Sequence, residues 1–282
     1  MPVLMYHSIS DDPEPAFSPY YKVCTSPQRF AEQMQWLADD GYCGVTLSEG
    51  LDWLNSLPRH SPEGESQGLP RHSPTGEGGA PLTTKKRVAI TFDDGFRDFH
   101  TAAFPALKQH GFTATMYLPT AFIGDERKSF KGRDCLTWAE VLELQSAGME
   151  FGSHTVTHPV LVKLGWPEIE RELRESKATL EKRLGRPALA FAYPFAFPQT
   201  NRNFSARFGE ILQEAGYRTC VTTEIGATLP DSRPLRTKRY PANYCDDRAL
   251  FSAKLAGAYD WMNPAQRLIK RAKKLRSAQA RP

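Results

Sequence analysis

Hydrophobic positions along the chain follow two spacings. Short runs rich in β-branched and aromatic residues predict strands, and longer stretches with apolar residues three and four apart predict helices, most of them followed by a glycine. The predicted strands are 43–47, 87–92, 113–118, 149–152, 188–193 and 217–222. The predicted helices are 30–38, 99–110, 138–147, 166–184 and 204–215. This alternation predicts an α/β fold with a mainly parallel sheet, either doubly wound or closed as a barrel.

One stretch interrupts the alternation. Between Leu57 and Lys86 the chain is dense in Pro, Gly, Ser and charge, and the segment LPRHSPEGE from residue 57 recurs almost unchanged from residue 69. Such a composition buries too little apolar surface to offset the entropy of ordering the chain. We therefore predict one domain over residues 1–262 with a flexible insert at about 58–86.

The charge is concentrated at one end. The formal net charge is +4, yet seven Lys and Arg residues and no acid lie between Arg267 and Arg281, which leaves the remainder net negative. Basic residues confined to a terminal tail (263–282), without a nucleic-acid-binding motif, exclude nucleic acid as an expected partner. The tail fits two interpretations equally: a short helix lying on an anionic membrane and a solvated basic helix.

The cysteines and the apolar runs indicate the redox state of the thiols and the expected location. The five cysteines are widely spaced and form no C-x-x-C pair, which predicts reduced, mostly structural thiols. No signal peptide and no run of about eighteen apolar residues is visible. A cytoplasmic location, or a peripheral one at the inner membrane face, is therefore expected.

Two adjacent carboxylates stand where a predicted strand ends. Asp93 and Asp94 directly follow the 87–92 strand and precede Gly95. Like charges this close raise each other's pKa unless a cation or a donor compensates them, and a divalent metal is a common solution. Taken alone, Asp-Asp-Gly is better explained as an ordinary turn whose aspartate caps the next helix.

A histidine pair after the 149–152 strand changes that interpretation. His154 and His158, at positions i and i+4, are predicted to lie on one side of a helical turn, as a metal requires. Because chemistry gathers at the carboxyl ends of parallel strands, we expect both histidines near Asp94. One carboxylate with two imidazoles suits Zn²⁺ best and also fits Co²⁺, Ni²⁺, Mn²⁺ or Fe²⁺.

A third segment, FAYPF at 191–195, also ends a predicted strand. Its proline forces an extended or turning backbone, which would aim the Phe195 N–H at the site as a donor to an oxyanion. Tyr193 is the second candidate for contact with a substrate. Read alone, the segment is an aromatic strand leaving the core.

In order and spacing, these motifs resemble those of the polysaccharide deacetylase family, also called the NodB-homology domain. The motifs are TFDDG at 91–95, SHTVTHP at 153–159 and FAYPF at 191–195. The resemblance runs from about Met1 to about Asn243 and implies an irregular barrel of seven β/α units. It also implies a carbohydrate substrate that carries N-acetyl groups.

The resemblance assigns roles to individual residues. Asp93 is implied to be the general base, and Asp94, His154 and His158 are implied to hold the metal. The implied reaction is hydrolysis, in which Asp93 takes a proton from water, hydroxide attacks the acetamide carbon, and a general acid protonates the departing amine. The products are acetate and a free glucosamine-type amine.

One departure from the family pattern concerns the base. The family's third motif usually carries an arginine where this sequence has Ala192, so Asp93 lacks its usual orienting cation. Arg239 is the candidate substitute, and an ordinary surface charge is the alternative interpretation of that residue.

The other departure concerns the acid. Many family members place an acid histidine near the end, whereas no histidine follows Tyr193 here. We predict that His7 is the general acid, because VLMY before it is a short apolar strand, and the first and last strands of a closed barrel are neighbours. A histidine that merely packs near the N-terminus is the alternative. The arrangement resembles the circularly permuted deacetylases that act on poly-β-1,6-N-acetylglucosamine.

Three functions remain open from the sequence. The leading one is metal-dependent removal of N-acetyl groups from N-acetylglucosamine-type residues of a polysaccharide or its precursor. The second is an amide deacylase acting on a lipid-linked sugar or small molecule at the membrane face. The third is a carbohydrate-binding protein with a non-catalytic metal site, against which Asp93 argues because a structural site needs no second carboxylate.

Overall fold

The computed structural model describes residues 1–12, 23–57, 86–230, 232–266 and 268. The predicted insert, apart from Lys86, and most of the predicted tail lie outside these residues. No observation on the described part of the chain supports the membrane contact considered for the tail. All five cysteines are free. Among the described helices, none combines the length and apolar character needed to cross a membrane.

Strands and helices alternate along most of the chain. The strands are β1 (Val3–Tyr6), β2 (Ser8–Ile9), β3 (Cys24–Thr25), β4 (Tyr42–Val45), β5 (Lys86–Phe92), β6 (Thr115–Leu118), β7 (Ser129–Phe130), β8 (Arg133–Asp134), β9 (Glu150–Ser153), β10 (Ala190–Ala192), β11 (Thr219–Val221) and β12 (Tyr240–Pro241). The helices are α1 (Pro27–Asp39), α2 (Leu47–Ser56), α3 (Phe104–Gln109), α4 (Trp138–Ser146), α5 (Trp166–Leu184), α6 (Arg202–Glu214) and α7 (Arg248–Leu255).

The main sheet is parallel throughout and closes on itself. Its order is β11-β10-β9-β6-β5-β1-β12, and β4 pairs with the first half of β5. A parallel bridge between Val221 and Thr237 joins β11 to the segment just before β12, so the two ends of the sheet meet. The predicted irregular barrel is confirmed, and the doubly wound alternative is wrong.

Side chains alternate between the inside of the barrel and the surrounding helices, as the two-residue period of a strand requires. Aliphatic residues and one tyrosine form the inner cluster: Val3, Leu47, Ala89, Tyr117, Ala190, Ala192 and Val221. Between the sheet and α5 and α6, Phe191, Tyr193 and Phe208 belong to a separate aromatic cluster. Each fully buried phenylalanine contributes about 1.5–3 kcal/mol of hydrophobic stabilisation.

Local side chains set the helix ends. Thr46 with Glu49 begins α2 and Thr137 with Glu140 begins α4, each pair forming a reciprocal capping box. Gly185, with φ 68°, ends α5 in the left-handed conformation that glycine adopts most easily. The predicted 166–184 helix coincides with α5 at both ends.

Two helices differ from the prediction. The predicted 99–110 helix is divided into a π-helical turn, Phe99–Ala103, and α3. Pro105 lacks an N–H, so it cannot donate to the carbonyl of Thr101 as an α-helix would require. A helix is also expected after the 43–47 strand, but without bounds; α2 is that helix, and the spacing of Thr46 and Glu49 is a readable signal for its start.

Candidate metal centre at the carboxyl end of the barrel

Strand β5 delivers two carboxylates in different directions. Ala89, Thr91 and Asp93 share one face of the strand, so Asp93 continues into the barrel interior. Asp94 has φ 75° and Gly95 has φ 68°, so the chain turns away directly after Asp93. A Cβ at Gly95 would lie 3.0 Å from the side chains of Leu118 and Ile123, so both space and backbone conformation favour glycine there.

Three ligand-type side chains converge at this turn. Asp94, His154 and His158 are buried, and one ligand atom from each lies within 4.8 Å of the others. The Nε2 atoms of His154 and His158 are 3.6 and 3.1 Å from Asp94 Oδ1, which is buried without a hydrogen-bond partner. Burial alone would raise the pKa of Asp94, but the histidines and Lys131 hold it far below its usual value. The group could therefore hold a cation.

The protonation of His154 suits metal binding. Its Nδ1 lies 2.8 Å from the carbonyl oxygen of Ala192, which can only accept, so Nδ1 carries the hydrogen and Nε2 keeps its lone pair. Burial lowers the pKa of His154 to about 4. The imidazole is therefore neutral near pH 7, which is the form that binds metals.

A loop, and not a helical turn, brings His154 and His158 together. The prediction that a helical turn places His154 and His158 on one side is wrong, because Thr155 (φ 71°) and His158 (φ 57°) are both left-handed. The His158 N–H donates to Thr155 Oγ1 at 2.9 Å, which closes the loop. Left-handed backbone is uncommon for residues other than glycine and is strained for a β-branched threonine.

Asp93 is held by a fully buried arginine. Nη1 and Nη2 of Arg239 lie 2.7 and 2.8 Å from the two carboxylate oxygens of Asp93. Nη1 also donates to Thr91 Oγ1 at 3.2 Å, and Nε donates to the carbonyl oxygen of Thr222 at 3.0 Å. Burial raises the pKa of Asp93, but Arg239 together with His154 and His7 outweighs this effect and keeps the pKa below its usual value. The surface-charge interpretation of Arg239 is wrong, since the side chain has no exposure.

His7 lies beside Asp93 and is partly exposed to solvent. Strand β1 lies between β5 and β12, and its last residue, Tyr6, accepts the N–H of Asp93 at 3.1 Å. His7 Nε2 is 3.8 Å from Asp93 Oδ2, and the side chain is 22% exposed. Burial lowers the pKa of His7 from its ordinary value, although both aspartates act against this.

Aromatic rings and one lysine form the rim of the site. The His158 ring lies 4.6 Å from the Phe195 ring and 5.1 Å from the Phe130 ring, between centroids. Lys131, at the tip of the β7–β8 hairpin, places Nζ 2.9 Å from Asp94 Oδ2. Sequence reasoning did not single out Lys131, because the hairpin is distant in sequence from every motif and carries no motif of its own.

Tyr193 is not at the site. Its ring packs against Phe197 and Phe208 on the helix side of the sheet, and only 2% of the residue is exposed. Its N–H donates to the carbonyl oxygen of Val221. The predicted contact between Tyr193 and a substrate is wrong, because neighbouring residues of a strand face opposite sides and Ala192 takes the inner position.

Comparison with known proteins agrees with this geometry. A model of the family described as polysaccharide deacetylase matches residues 81–220, which include Asp93, Asp94 and both site histidines. Residues 81–220, about half of the chain, therefore form a domain of the polysaccharide deacetylase family. Members of this family are hydrolases, and the barrel found here is the fold that the resemblance implied.

The individual relatives share low sequence identity with this chain. YxkH of Bacillus subtilis (strain 168) is 28% identical over 231 residues, which cover 82% of this chain and 67% of that protein. The poly-β-1,6-N-acetyl-D-glucosamine N-deacetylase of Staphylococcus aureus (strain MSSA476) is 26% identical over 159 residues, covering 52% of this chain and 51% of that enzyme. This match therefore spans about half the length of the staphylococcal protein.

A solved structure also matches nearly the whole domain. The Streptococcus pyogenes deacetylase PplD, determined in complex with acetate, superposes with a TM-score of 0.68 at 25% sequence identity. The match covers 90% of this chain and 97% of PplD.

Proposed function

We propose that the protein is a metal-dependent hydrolase that removes N-acetyl groups from N-acetylglucosamine-type residues of a polysaccharide or its precursor. One observation carries the proposal. The buried, unbonded Oδ1 of Asp94 faces two imidazole Nε2 atoms, and a second carboxylate, Asp93, stands beside it in a bidentate pair with Arg239. A purely structural metal site has no use for the second carboxylate.

The donor set fits a divalent metal, with Zn²⁺ the best match and Co²⁺, Ni²⁺, Mn²⁺ or Fe²⁺ as the other candidates. Asp94, His154 and His158 would hold it. Such an ion, when bound, lowers the pKa of a water and polarises an acyl oxygen.

The remaining residues divide the proton transfers. Asp93, kept ionised and fixed by Arg239, takes a proton from the attacking water as general base. His7 is neutral in the resting site because its pKa is lowered. Its Nε2 lies 3.8 Å from Asp93 Oδ2, beyond hydrogen-bond distance, so the proton would pass through one intervening water before His7 gives it to the departing amine. The Phe195 N–H would donate to the oxyanion of the tetrahedral intermediate.

The relatives support the choice of substrate class. The staphylococcal relative acts on poly-β-1,6-N-acetyl-D-glucosamine, so β-1,6-linked oligomers are the first substrates to test. Chitooligosaccharides test the β-1,4 linkage, and an N-acylated lipid-linked sugar tests the amide-deacylase alternative. We further propose that residues 1–262 form one catalytic domain, to which the insert and the basic tail are additions.

The deciding experiment measures acetate release and metal content together. Wild-type protein should bind close to one metal per chain by elemental analysis and release acetate from an N-acetylated oligosaccharide. Asp94→Ala, His154→Ala and His158→Ala should lose both properties. Asp93→Asn should keep the metal and lose turnover by roughly 10²–10⁴-fold. Full activity of Asp93→Asn, or a wild-type protein without affinity for any of these metals, would refute the proposal.

A further inference from the structure

A buried carboxylate on a helix contacts the histidine loop from behind. Glu172 lies on the inward face of α5 and is 5% exposed. One of its oxygens accepts the N–H groups of Val156 and Thr157 at 2.8 and 2.9 Å, and the other accepts the Thr157 hydroxyl at 2.7 Å. All three donors belong to the segment between His154 and His158.

The contacts of Glu172 differ from those of most buried carboxylates. Buried charges are normally paired with an opposite charge, and within the described residues Glu172 forms no salt bridge. Its charge is compensated by three neutral donors of the loop, and hydrogen bonds to an ionised acceptor are about twice as strong as neutral ones. The backbone N–H groups of the loop therefore have a fixed, strong acceptor.

A second contact on the same helix acts in the same place. Ser176, one turn after Glu172, lies with its hydroxyl 2.7 Å from Ser153 Oγ, and Ser153 Oγ accepts the Thr155 N–H at 3.1 Å. Thr155 and His158 are the two left-handed residues of the loop. A strained conformation of this kind persists only where its surroundings fix it, and α5 supplies donors and acceptors on both sides of Thr155.

We propose that Glu172 is a positioning residue that holds the 154–158 loop in its left-handed form and thereby sets the metal affinity of the site. The inference rests on the proposed function, since it assumes that His154 and His158 are ligands. Glu172 contacts neither histidine side chain and no reacting atom. It acts by fixing the backbone from which both imidazoles project toward Asp94.

The test measures Zn²⁺ affinity of the full chain by competition with a chelator, with far-ultraviolet circular dichroism as the check of folding. Glu172→Ala should raise the dissociation constant for Zn²⁺ by about 10–100-fold, the range found when residues supporting metal ligands are removed. Glu172→Gln should recover most of the affinity. Its amide oxygen can keep both N–H bonds, and its NH₂ can donate to the Thr157 hydroxyl.

A matched control separates positioning from general loss of stability. Leu180→Ala removes a fully buried side chain from the same helix, two turns beyond Glu172, and should lower the unfolding temperature while leaving Zn²⁺ affinity within about twofold. Equal weakening in Glu172→Ala and Leu180→Ala, or unchanged affinity in Glu172→Ala, would overturn the inference.

If Glu172→Ala does not fold, Thr157→Ala decides the question from the loop side. Thr157 is exposed, and the substitution removes only its hydroxyl bond to Glu172. A severalfold rise in the Zn²⁺ dissociation constant supports the inference, and no change refutes it. A wild-type protein that binds no metal would instead refute the proposed function, so the two failures are distinguishable.

Discussion

At the amino end of the barrel, Glu150 accepts a hydrogen bond from the Ser48 N–H, another from the Ser48 hydroxyl and a third, at 2.6 Å, from Thr115 Oγ1. At the carboxyl end, Asp94 Oδ1 has no hydrogen bond and faces two imidazole Nε2 atoms instead. Glu150 begins β9, and Asp94 follows β5 of the same sheet. The first is satisfied by neutral donors from its surroundings, whereas the second faces groups whose lone pairs need a cation.

The two ends of the barrel also differ in backbone strain. In the described part of the chain, the non-glycine residues with positive φ are Asp94, Lys131, Thr155, His158 and Phe195, and all of them surround the carboxyl-end site. Each costs of order 1–3 kcal/mol, which the rest of the fold must offset. A carboxylate oxygen without a hydrogen bond and strained backbone coincide at the end where chemistry is expected, whereas the contacts of Glu150 show neither feature.

Among the predictions that test this difference, we expect the greatest loss of activity from a substitution at His7. His7→Ala should lower the rate on an acetamide substrate by roughly 10²–10⁴-fold without changing metal content. An acetate ester with a good leaving group needs little protonation and should lose far less. Steady-state kinetics on both substrates measure the difference.

His100→Ala is the control for His7. Its side chain is 23% exposed and pairs with Glu143 at 3.1 Å, so it matches His7 in exposure and in having a carboxylate neighbour. It should change neither rate. Equal losses of His7→Ala on amide and ester, or no loss on either, would assign the acid to another residue.

The Arg239–Asp93 pair should dominate the stability of the carboxyl end. Arg239→Met leaves Asp93 as a buried, unpaired charge and should lower the free energy of unfolding by about 3–5 kcal/mol, measured in urea. Adding Asp93→Asn removes the other charge and should recover much of that loss. A single variant as stable as wild type, or a double variant no better than the single, would contradict the assignment.

Acid should weaken the carboxyl end through His154. The unfolded chain takes up this proton near pH 6.5 and the folded one near pH 4, so between these values the unfolded state binds more protons. The free energy of unfolding of metal-free protein should therefore fall as pH falls from about 6.5 to about 4. His154→Asn keeps an N–H donor for Ala192 but cannot titrate, and its unfolding free energy should vary less over this range. Parallel pH profiles of the two proteins would show that other groups cause the acid lability.

The smallest effect is expected at the amino end. Glu150→Met removes the acceptor of the Ser48 and Thr115 donors while keeping a side chain of similar length, and should cost about 1–3 kcal/mol of stability. Metal content and acetate release should stay at wild-type levels. A loss of metal in this variant would break the separation between the two ends.

Much of the scaffold was predictable because its signals are local. The apolar run that forms β5, the periodic helix that forms α5 and the glycines that end helices all act within a few residues. Predicted boundaries differ from the structure where two local signals overlap, as at Thr46. The predicted 43–47 strand runs through this capping residue, so it covers the start of α2.

The candidate ligand types and their order can be read from the sequence, because Asp-Asp-Gly follows one predicted strand and a histidine pair follows another. Which of these side chains meet depends on the tertiary structure. Arg239 reaches Asp93 across 146 positions, and His7 reaches it across 86, because β1, β5 and β12 are neighbours in the closed barrel. The fold also places Tyr193 on the helix side of the sheet and Lys131 next to Asp94. Such contacts depend on strand order and on which face each residue occupies, and no local spacing encodes either.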